Sequence, residues 1–116
     1  MNSQYIFTIQ LNKLCILAEN AQNDYEKACV FSATESLVLR FLKKDNLPHR
    51  VSEKIYLIRY HISAFLGYDD PNDLSANDHI HQAIVMTNEL IDIIEKMRLD
   101  FDKKDKPSVF FKRKNR

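Results

Sequence analysis

Gly67 is the only glycine in 116 residues, and only three prolines accompany it. A sheet protein of this length needs many tight turns, and glycine and proline supply most of them. With so little punctuation the chain is steered toward long uninterrupted elements joined by short polar connections, which means helices. A chain of this length buries roughly two thirds of the surface it exposes when unfolded, enough for one core without metal or disulfide staples. Its 45% hydrophobic and 28% charged residues are those of an ordinary globular protein, so one folded domain is expected.

The apolar spacing agrees. Val51, Ile55, Ile58, Ile62 and Phe65 step by 4, 3, 4, 3 and share one side only if the backbone turns every 3.6 residues. This predicts a helix from about Pro48 to Leu66, closed by Gly67 in the left-handed conformation. A second pattern, Ile80, Ala83, Thr87, Leu90, Ile94, Met97 and Phe101, is widened by Ile84 and Ile91. It predicts a helix that starts between Asn72 and Ser75 and ends before Pro107, long enough for its distal end to project or to pair with a second copy as a homodimer. Upstream, Asn23 followed by Glu26 matches an N-cap with its reciprocal partner, opening a helix through Ala28, Phe31, Thr34, Leu37, Val38, Phe41 and Leu42. Before it, Phe7, Leu11, Leu14, Ala18 and Ala21 give a first helix from Tyr5 to about Ala21; no glycine or proline separates it from the second, so one continuous helix through this stretch is the alternative. The expected fold is all-α: an antiparallel four-helix bundle over residues 1–106, then a basic, flexible C-terminal tail over 107–116.

The N-terminal stretch has no basic segment ahead of its apolar residues, and no apolar run reaches the length of a membrane span, so a soluble cytoplasmic protein is expected. Cys15 and Cys29 lack CxxC spacing and read as reduced thiols. The net charge of +1 hides a segregation: residues 103–116 carry seven Lys/Arg and one Asp, whereas residues 69–102 carry nine acids and two bases. Charge arranged in this way bears on partners and solubility, not on fold.

The richest stretch is DDPNDLSANDHIHQ, Asp69 to Gln82. Read as a calcium loop from Asp70, it puts Ser75 where glycine is needed and His81 where a bidentate acid is needed; from Asp69 those positions are Leu74 and Ile80. His79 and His81, two apart, leave a helix on nearly opposite sides and cannot share an ion as an i, i+4 pair does. No metal and no cofactor is expected. The stretch reads first as a helix start, since Asp, Asn and Ser cap helices and acids favour the N-terminal dipole. One cap does not need every acid, so Asp69, Asp70, Asp73, Asp78 and Glu89 stay unpaired, with His81 and Asn88 along the same side. On the preceding helix Tyr56, Arg59 and Tyr60 form an aromatic and arginine cluster of the kind that anchors interfaces.

Catalytic patterns are missing. The short Arg-to-His spacing of the HEPN ribonucleases is absent: Arg40 precedes His49 by nine positions, Arg50 precedes His61 by eleven, and Arg59 precedes His61 by two. There is no nucleophile elbow, glycine-rich phosphate loop or HExxH. The expectation is therefore a non-catalytic protein-binding module whose acidic surface docks a basic protein, most concretely an immunity protein or antitoxin that neutralises a nuclease-like toxin by matching its phosphate-binding charges. The competing expectation is a nucleic-acid-binding regulator using Lys112, Arg113, Lys114 and Arg116 of the tail, with Arg50, Lys54 and Arg59 on the third helix.

Overall fold

A computed structural model describes residues 3–43 and 47–109, with side chains described over 6–43 and 47–97. Among these residues every regular element is a helix: α1 (Ser3–Asn20), α2 (Asp24–Leu42), α3 (His49–Leu66) and α4 (Ala76–Val109). Each helix packs on the next and α1 closes the ring onto α4; α1 also touches α3 across the diagonal. Phe7 near the start of α1 stacks on Phe41 at the end of α2, with ring centroids 4.0 Å apart. Arg59 of α3 reaches Glu35 of α2, and Lys54 of α3 reaches Glu89 of α4 at 2.9 Å. No described helix is long and apolar enough to cross a membrane.

The helix ends follow local chemistry. Asn23 Oδ1 accepts the Glu26 amide at 2.8 Å, and Glu26 Oε1 returns to the Gln22 amide at 2.7 Å, one residue earlier than a reciprocal box requires. That cap separates α1 from α2 without help from glycine or proline. Gly67, at φ 94°, ends α3: its N–H donates to Ala64 O and the Tyr68 N–H to Ser63 O, which satisfies carbonyls that the helix leaves open. Ser75 Oγ accepts the Asp78 amide and caps α4. Contrary to the expected stop, α4 continues through Pro107 to Val109. Proline forfeits one backbone donor and crowds the carbonyl four residues back, so this last turn forms against a local penalty.

The core is built from the anticipated stripes. Val51, Ile55, Ile58 and Ile62 are each at most 1% exposed, while Phe65 is half-buried. Leu11, Ile80, Ala83, Leu90 and Ile94 complete the interior with Val38 and Phe41. Full burial of each large apolar side chain contributes roughly 1.5–3 kcal/mol before ordering entropy. The buried hydroxyls of Thr34 and Thr87 donate to the carbonyls of Val30 and Ala83 one turn back, so neither is left unsatisfied. Cys15 lies 3.9 Å from the Thr87 hydroxyl and is buried; Cys29 is exposed, and both are free thiols.

Candidate functional site

The α3–α4 connection, residues 67–75, is short and acidic, yet its backbone is tied down at several points. Asn72 and Asp73 both adopt left-handed backbone, φ 51° and 71°. Asparagine and aspartate tolerate that region better than other residues with a Cβ, because their short polar side chains bond locally. Here the Asp70 carboxylate accepts the Asn72 amide at 3.0 Å, and the Asp69 carboxylate accepts the Asp70 amide at 3.1 Å. The Leu74 amide closes a turn on Pro71 O at 3.1 Å.

Two side chains tie this loop to the helices by hydrogen bonds, and Phe31 of α2 stacks on its Tyr68 with ring centroids 4.5 Å apart. The Tyr60 hydroxyl donates to the Asp70 carbonyl at 2.6 Å and accepts from the Asn72 side-chain amide at 2.9 Å. His79, with no exposed surface, places Nε2 2.7 Å from the Pro71 carbonyl and Nδ1 2.9 Å from Nδ1 of His61, itself 8% exposed. A carbonyl can only accept, so His79 carries its proton on Nε2, and its bare Nδ1 accepts from His61 Nδ1–H. Tyr60 presents its ring edge-on to both imidazoles. Burial first, then the neighbouring His79, holds the His61 pKa below the ordinary histidine value.

This arrangement revises several sequence expectations. Asp69, Asp70, Asp73 and Asp78 are exposed together on the loop and the first turn of α4. Asn88 and His81 are exposed farther along α4, but Glu89 is not unpaired: it holds Lys54. Tyr56 stays 54% exposed, whereas Tyr60 is a strut inside the fold and Arg59 is clamped by both oxygens of Glu35. That fork, helped by the more distant Asp69, raises the guanidinium pKa further. Of the cluster expected on α3, Tyr56 is therefore exposed, while Arg59 and Tyr60 are half-buried and have internal partners. Of the α3 cations proposed for nucleic acid, Lys54 and Arg59 are already paired with acids and Arg50 is exposed. Lys112, Arg113, Lys114 and Arg116 lie outside the described residues.

The histidine pair went unrecognised in the sequence. Separating His79 from His81 by side was sound: the first is buried and the second exposed. The overlooked signal is that His79 sits four before Ala83 and His61 three after Ile58, which puts both on core-facing positions. Among the described residues no group of three His, Cys, Asp or Glu side chains is placed to hold a metal. No protein-family model, no curated protein and no solved structure matches this chain, so the chemistry of the site rests on its own atoms.

Proposed function

We propose that this chain is a non-catalytic protein-binding module that offers the carboxylates of Asp69, Asp70, Asp73 and Asp78 to a basic partner. The observation that supports this reading is the fixed backbone beneath exposed acids: Tyr60 and His79 fasten the loop while the four side chains face solvent. Acids presented from a preformed loop forfeit less conformational freedom on binding than acids on a mobile one. Like charges gathered on one face also steer an oppositely charged protein into encounter. In its most concrete form the partner is a basic, nuclease-like toxin whose phosphate-binding cleft the carboxylates occupy, which would make the chain an immunity protein or antitoxin.

The test is co-expression with whatever protein is encoded beside it, read by survival and by co-purification. The full chain should protect and co-purify, and Asp73→Lys with Asp78→Lys should lose both while the helical circular dichroism stays intact. Protection and binding unchanged by those reversals, or no basic protein retained, overturns the reading. Raising salt should weaken the complex, since exposed charge pairs are screened over about 8–10 Å at ordinary ionic strength.

A further inference from the structure

Among the described residues nothing covers the surface between α1 and α2, which is open along its length. Two adjoining hollows, of about 530 and 230 Å³, share Leu14, Leu17 and Ala33 as their common walls. Leu17, on the α1 wall, is 53% exposed, and Tyr25, at the far end, is 78% exposed. Isolated apolar side chains on a surface are unremarkable, but several bordering one depression are the usual mark of a docking face.

The charges at the two ends of this groove are opposite. Lys13 and Arg40 border one end and Glu26 the other. Neither cation has an ion pair among the described residues, and Glu26 uses one oxygen to cap the Gln22 amide, leaving the other free. A two-fold axis through the middle of the groove turns a second copy end for end. The apolar centre around Leu17 and Ala33 then meets itself, and Lys13 and Arg40 of each copy face Glu26 of the other. Tyr25 sits at the acidic end as well, so its ring comes beside the opposing cations, where a ring face attracts them. Self-complementarity of this kind is what a closed homodimer requires of its interface.

We infer that this groove is the interface of a two-fold homodimer, with a second copy of the chain as its occupant. The surface is separate from the acidic α3–α4 loop, none of whose residues line it. The test is sedimentation velocity of the full chain from about 1 to 200 µM at low and high salt, a range that brackets micromolar association. The expected result is a dimer that Leu17→Glu abolishes with helicity unchanged, Leu17 being half exposed. Ala33→Arg, from the opposite wall, must do the same, which guards against a folding defect in either variant. Lys13→Glu with Arg40→Glu should weaken dimerisation by about tenfold or more at low salt. Added salt should then strengthen that variant's dimer while weakening the wild type, because the end contacts have changed from attraction to repulsion. A chain that stays monomeric throughout, or a dimer indifferent to both Leu17→Glu and Ala33→Arg, overturns the assignment.

Discussion

Replacing His79 by leucine removes two hydrogen bonds from a ring with no exposed surface while keeping the side-chain volume similar. The two former partners fare differently. Pro71 is exposed and its carbonyl keeps the Leu74 amide at 3.1 Å, so water can take the vacated position. The His61 Nδ1–H, on a ring 8% exposed, loses its described partner. Leaving one buried donor unsatisfied costs about 1–3 kcal/mol, and the lost bond to Pro71 adds about 1 kcal/mol. The extra apolar burial of leucine returns about 1 kcal/mol. The net loss is on the order of 2 kcal/mol. With a urea dependence of roughly 1–3 kcal/mol/M for a domain of this size, the unfolding midpoint should drop by about 1 M. Far-UV circular dichroism in urea at about pH 8.5 measures this, above the range in which histidine ordinarily titrates. His81→Leu, at an exposed position on the same helix, serves as the control and should shift stability by no more than about 0.5 kcal/mol. A His79→Leu midpoint equal to or above the wild type would mean that the ring pair does not hold the loop, and the reasoning from Tyr60 and His79 to a preformed acidic surface would go with it.

Three further outcomes follow from the same geometry. Because the His61 pKa lies lower in the folded chain than its unfolded value of about 6.5, the unfolded chain holds more protons between the two. That contribution to stability is complete above about pH 6.5 and lost as pH falls through the folded pKa, with a slope of at most about 1.4 kcal/mol per pH unit; urea midpoints of wild type and His61→Asn across this range should diverge in that sense. Gly67→Ala should cost about 1 kcal/mol in thermal unfolding, all of it backbone strain at φ 94°, since an added Cβ meets nothing within 4 Å; Gly67→Asn should recover part of the loss. In timed alkylation read by mass spectrometry, exposed Cys29 should react first, while Cys15, whose thiol burial pushes up to about 11, should stay protected until the chain unfolds.

What the sequence disclosed was local. Val51 to Ile62 and Ile80 to Ile94 declared their buried sides by spacing alone, and Asn23 with Gly67 marked ends whose chemistry involves only adjacent residues. Contacts across elements were not legible, because they depend on how two helices cross. Arg59 and Glu35 lie 24 positions apart, His61 and His79 lie 18 apart, and nothing in the local pattern states that either pair meets. The acidic loop shows the same division. Its charges were plain in the sequence, whereas the removal of Glu89 by Lys54 and the recruitment of Tyr60 as a strut required the packed helices.

The seam between α1 and α4, where Cys15 meets Thr87, joins the two described helices that lie farthest apart along the chain. During translation, Cys15 has no α4 to cover it until residues well past Thr87 have left the ribosome, so the α4-facing side of α1 must wait in contact with water or a chaperone. A truncated message ending near the α3–α4 loop would therefore yield a sticky fragment in place of a smaller working protein.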